Sequence, residues 1–70
     1  MSYNQAMEQI KKPRDLVKLV ESMGFKFSRQ CGSHAIFKAD NKPSLSIPAS
    51  KDIARGTLRQ VLQLAYGIRG

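Results

Sequence analysis

Seventy residues make one domain the ceiling. A chain this short buries only about 60% of the surface its unfolded form exposes, which excludes an elaborate enzyme around a deep cofactor cavity and leaves room for a shallow site. Twelve lysines and arginines against five carboxylates give a net charge of +7, a balance that attracts polyanions, nucleic acid first and an acidic protein second, where it does not simply aid solubility.

Residues 1–12, MSYNQAMEQIKK, read as a polar N-terminal extension ahead of a single domain over 13–70. Met7 and Ile10 either carry a helical stripe backwards or belong to a frayed end. The first firm element is PRDLVKLVESMGF. Pro13 suits the first helical position, Asp15 lies in the first turn, and Leu16, Val17, Leu19, Val20 and Met23 form an apolar face. The spacing predicts a helix over 13–23, stopped at Gly24.

FKFSRQ alternates from Phe25 and predicts a strand with Phe25 and Phe27 on one side. Gly32-Ser33 predicts a turn and HAIFKAD a second strand, with Ala35, Phe37 and Ala39 facing one way and His34, Ile36 and Lys38 the other. A second turn at Asp40–Pro43 leads to SLSIP, a short strand with Leu45 and Ile47 inward and Ser44 and Ser46 outward. After a loop, TLRQ matches a capping box and predicts a helix from Thr57, with Leu58, Val61, Leu62 and Ala65 as its buried stripe and Gly67 as its end.

The order α-β-β-β-α predicts an α+β fold: a three-stranded antiparallel sheet with two helices on one face. Phe25, Phe27, Ala35, Phe37, Leu45 and Ile47 form the expected inner face. The open face then carries His34, Lys38 and two serines, with Ile36 as its apolar exception.

Several chemistries find no support. A single cysteine, Cys31, permits no intramolecular disulfide, and no Cys/His cluster suits zinc, so neither metal nor cofactor is expected. The carboxylates are scattered, which argues against a two-metal nuclease. Neither Ser28 nor Ser33 stands at a spacing that supports a Ser-His-Asp triad, and there is no phosphate loop. Residues 1–12 lack the apolar core of a signal peptide and no run approaches the ~20 residues of a membrane span, so the expected location is the cytoplasm, away from membranes.

One histidine occurs in the chain, His34, directly after the Gly32-Ser33 turn. It admits two readings: a structural or phosphate-contacting residue, or a proton carrier, since imidazole has an unperturbed pKa near 6.5. RNA can be cut without metal because its own 2′-OH attacks the adjacent phosphorus. Such cleavage needs a group to move protons and cations to stabilise the crowded phosphate. His34 with Arg29, Lys38 and Lys51 meets that requirement in composition.

The stretches "FKFSRQCGSHAIFK" and "RGTLRQVLQLA", joined by a short strand ending in proline, resemble the HicA toxin family over roughly residues 13–66. The resemblance implies a double-stranded-RNA-binding-domain-like fold, mRNA cleavage that halts growth, and neutralisation by a HicB-like antitoxin. It implies that His34 is catalytic, with Gly32 and Ser33 as its flanking motif. Many relatives carry a further histidine or a basic cluster after the third strand, where this chain reads "IPASKD"; Lys51 is the nearest cation there. The expectation is a metal-independent endoribonuclease toxin, with Arg29, Lys38 and Lys51 on RNA phosphates. The rivals are a non-catalytic RNA-binding module and a basic protein-interaction subunit.

Overall fold

The computed structural model describes residues 1–68. These form α1 (Tyr3–Gln9), α2 (Pro13–Ser22), β1 (Lys26–Cys31), β2 (His34–Lys38), β3 (Leu45–Pro48) and α3 (Arg55–Tyr66). The strands make an antiparallel sheet in the order β1-β2-β3. The α+β class and the run α-β-β-β-α are as the sequence predicts, with one helix added in front.

The core lies between the helices and the inner face of β2 and β3. Leu16 and Val20, one helical turn apart on α2, are fully buried, as are Leu58 and Leu62 on α3. They meet Phe25, Phe37, Leu45 and Ile47 from the sheet side in one apolar cluster. α3 ends at Gly67, whose left-handed φ of 72° serves the C-cap.

One open alternative is decided and two expectations change. The first concerns the extension, where the helical reading holds over the frayed one. Residues 3–9 are helical, closed at the N-terminus by a reciprocal capping box: the Gln5 N–H donates to Ser2 Oγ (3.2 Å) and the Ser2 N–H to Gln5 Oε1 (2.9 Å). Ala6 and Ile10 are buried in the common core. α1 lies on α3, where Tyr3 meets Tyr66 edge-on at 6.4 Å between ring centroids, Tyr66 Oη donates to the Met1 carbonyl, and Arg55 Nη1 donates to the Met7 carbonyl at 2.6 Å. A seven-residue helix is unstable by itself, so these tertiary contacts hold it.

The second is the start of α3. The helix begins at Arg55 with Ala54 as a cap that has no side-chain bond, and Thr57 and Gln60 lie inside it. The TLRQ box is therefore unused. Ile53 is buried and its N–H bonds to the Lys11 carbonyl (3.2 Å), while Arg55 is tied to α1, so the chain is fixed in direction two residues before Thr57.

The third is Phe27. It is 56% exposed, although it was expected in the core. Every residue of β1 is exposed, because the helices lie over β2 and β3 and stop short of the β1 edge. The strand limits are also shorter than expected at Lys38 and Leu45, since the intervening turn, with Asn41 at φ 60° and Lys42 N–H bonded to the Ala39 carbonyl, takes up residues on both sides.

Candidate catalytic and nucleic-acid-binding face

Cys31 and His34 pair across the hairpin, with Gly32-Ser33 as a two-residue turn. Gly32 has φ 60°, and Asn41 is the described non-glycine residue with positive φ, so Ser33 is on the negative side. That is the pattern of a II′ turn, which takes glycine at its first central position and matches the twist of the flanking strands. The Gln30 side chain donates to the Gly32 carbonyl (3.2 Å), and the Ala49 N–H donates to the Ser33 carbonyl (2.7 Å). The turn is thus held from both edges of the sheet, and with it the first residue of β2.

His34 is exposed on the open face. The side-chain hydrogen bonds among the described residues leave its imidazole without a partner. The structural use in which the ring bonds to the turn backbone is therefore not made.

The surroundings of His34 depend on a break in register. Near the turn the pairs are Cys31 with His34, Gln30 with Ala35 and Arg29 with Ile36. Beyond it they are Phe27 with Phe37 and Lys26 with Lys38, which leaves Ser28 as the extra residue of a β-bulge. Residues directly opposite share a face. Phe27 therefore shares the inner side with Phe37, while Arg29 shares the outer side with Ile36 and His34. Strict alternation from Phe25 would have turned Arg29 towards the helices.

The open face consists of three rows. Cys31, His34 and Pro48 make the first, Arg29, Ile36 and Ser46 the second, and Lys26 and Lys38 begin the third. Arg29 is diagonal to His34, at the roughly 7–8 Å typical of such neighbours. Lys38 is four residues along the same strand, about 13 Å away at ~3.3 Å per residue. Lys51 is exposed in the loop after β3, two residues past Ala49, which bonds to the Ser33 carbonyl, and so lies at the His34 end of the sheet. The expected cations are thus divided: Arg29 stands diagonal to His34 on the same face, Lys51 at the margin of that end, and Lys38 at the far end of the face.

Lys26 was not singled out from the sequence. It pairs directly with Lys38, and two like charges opposite each other on an antiparallel pair repel. An anion bound between them removes that repulsion. The clue lay in the hairpin arithmetic. A two-residue turn at Gly32-Ser33 without a bulge sets Ser28 against Phe37, yet the apolar pattern requires Phe27 there. One inserted residue reconciles the two, and it also brings Lys26 opposite Lys38.

From Lys26 to Lys38 the sequence contains no aspartate or glutamate. Among the described residues no group of three or more His, Cys, Asp or Glu comes together. Two surface grooves lie elsewhere, one of about 370 Å³ at Met1, Ile10 and Leu19 and one of about 220 Å³ at Pro43, Leu64 and Ile68. His34 lines neither, and it stands exposed on the open face of the sheet. Such a surface suits an extended polymer better than a small molecule, which needs enclosure. No described helix is long and apolar enough to cross a membrane.

A family model described as the HicA toxin of bacterial toxin–antitoxin matches residues 13–65. The match begins at the first residue of α2 and ends one residue before the end of α3, so it omits α1. No curated protein matches the chain.

Proposed function

This chain belongs to the HicA toxin family, the toxin of a bacterial toxin–antitoxin system whose partner is an antitoxin, and on that premise we propose that it is a metal-independent endoribonuclease with His34 as its catalytic residue. The observation that carries the reading is an unpartnered, exposed imidazole beside Arg29 on a basic sheet face.

His34 Nδ1 or Nε2 takes the proton of a ribose 2′-OH. The 2′-oxygen attacks the adjacent phosphorus, the bond to the 5′-oxygen breaks, and a proton from the imidazolium or from water neutralises the leaving oxygen. The products are a 2′,3′-cyclic phosphate and a 5′-hydroxyl. Arg29 stabilises the charge that develops on the phosphate oxygens. Lys26 and Lys38 hold a phosphate further along the strand, and Lys51 contacts the chain at the His34 end. Gly32 and Ser33 fix the turn that orients His34. The antitoxin of this reading is HicB-like, the target is mRNA, and the setting is the cytoplasm.

The experiment is cleavage of RNA by purified protein in EDTA, with His34→Ala alongside. Wild type is expected to cut and to leave a 5′-hydroxyl. His34→Ala is expected to lose cleavage and growth arrest, to keep its circular dichroism and to retain RNA binding. An absolute Mg²⁺ requirement, cleavage of DNA, or a folded His34→Ala that cuts at wild-type rate overturns the assignment. Wild-type protein that binds RNA and never cuts it identifies the binding module instead.

A further inference from the structure

Phe27 has no role on the His34 face, yet it is the most exposed aromatic side chain of the sheet. It is on the inner side of β1, beyond the cover of the helices, with 56% of its surface open. Its ring leans edge-on against buried Phe37, 5.8 Å between centroids and 76° between planes. An aromatic ring half fixed by a neighbour loses little freedom when a partner closes over it. Rings of this kind are the usual anchors of protein interfaces.

Its neighbours on the strand define the chemistry of the partner. Lys26 and Arg29 flank it on the other side of the same strand, and the acid-free run from Lys26 to Lys38 continues into β2. A strand that sets an aromatic anchor among cations, in a run from Lys26 to Lys38 without a carboxylate, fits a partner offering an apolar pocket rimmed by aspartates and glutamates. The free edge of β1 invites strand addition, but the Ser28 bulge and the two cations interrupt a regular ladder there. Side chains rather than backbone pairing therefore carry the contact.

We infer that Phe27 and the β1 edge form the docking site of the antitoxin, with Phe27 seated in an apolar pocket and Lys26 and Arg29 paired to carboxylates. The partner thus grips the β1 edge from the side opposite His34 and reaches round it to Arg29. This inference rests on family membership alone and is independent of the catalytic reading, because its readout is neutralisation.

Phe27→Ala and Phe27→Gln toxins are co-expressed with the cognate antitoxin, and antitoxin affinity is measured with purified, folded proteins. Both variants are expected to arrest growth alone as wild type does, to escape neutralisation, and to bind antitoxin at least about 30-fold more weakly, the loss of about 2 kcal/mol typical of a central interface aromatic. Phe27→Tyr, which keeps the ring, is expected to retain most of the affinity. Folded Phe27 variants that the antitoxin binds and neutralises as tightly as wild type overturn the inference. A wild-type toxin that self-associates through Phe27, with the variants monomeric and still neutralised, also overturns it and assigns the edge to a second copy. Loss of growth arrest in folded Phe27 variants with antitoxin binding intact assigns the ring to substrate and overturns it equally.

Discussion

β1 and β3 are the two edge strands of one sheet, and they have opposite fates. β3 has four residues, alternates buried and exposed, and places Leu45 and Ile47 under the helices between Pro43 and Pro48. β1 has six residues, all exposed, with no proline and no helix over it. The helices lie over β2 and β3 and stop short of β1. The third strand is left to present side chains on both of its faces: cations towards the His34 side and Phe27 on the other. One edge of the sheet therefore holds the fold together, and the other is free for binding.

The contrast predicts a graded series of effects. The largest should come from Leu45→Ala in the covered edge, at about 2–5 kcal/mol. A 70-residue chain has a total stability of roughly 3.5–10 kcal/mol. Denaturant melts should show this variant losing a large share of that stability, and a midpoint close to wild type would break the division drawn between the strands.

Removing residues 1–10 comes next. It takes Ala6 and Ile10 from the core and the Arg55 and Tyr66 bonds from α3. The expected cost is about 2 kcal/mol or more, on the scale of a single buried aliphatic side chain. A truncated chain melting with wild type would show that the family-matched portion stands alone and that α1 merely rests on it.

Gly32→Ala should cost about 1 kcal/mol. A Cβ there meets nothing within 4 Å, so the whole cost is the positive φ that an L side chain resists. Because the turn sets the start of β2, RNA cleavage should fall by more than the lost stability accounts for. Thermal melts and turnover measured on the same preparation test this, and a proportional loss would mean that the turn does not orient His34.

Phe27→Ala, despite removing a larger side chain than Leu45→Ala does, should cost only about 1 kcal/mol, the value of an aromatic pair at a surface. The ratio of these two losses is the sharpest measure of the difference between the edges. A cost for Phe27 equal to that of Leu45 would place the ring in the core.

The smallest effect on stability belongs to Arg29→Ala, within about 0.5 kcal/mol. Its effect should appear in RNA binding instead. If four to six phosphates of a single strand are contacted, log K should fall with log[salt] at a slope of roughly −3 to −4, and loss of Arg29 should flatten that slope by about 0.7. An unchanged slope would take Arg29 off the phosphate chain.

By itself the sequence determined the α+β class, the stops at Gly24 and Gly67, the hairpin at Gly32-Ser33 and the open position of His34. These follow from local rules: apolar period, proline and glycine dihedrals, and strand alternation around a two-residue turn. Tertiary structure decided the rest. A seven-residue helix at 3–9 exists because Ala6 and the adjoining Ile10 join the common core and Tyr3 meets Tyr66 of α3, some sixty residues away. The TLRQ box went unused because contacts from Lys11 and Met7 started α3 earlier. Phe27, apolar and correctly phased, stayed outside because helix width, which no periodicity encodes, ends before β1. The company of His34 was settled by the bulge at Ser28, which satisfies the apolar patterns of two strands at once and in doing so turns Arg29 outward and sets Lys26 against Lys38.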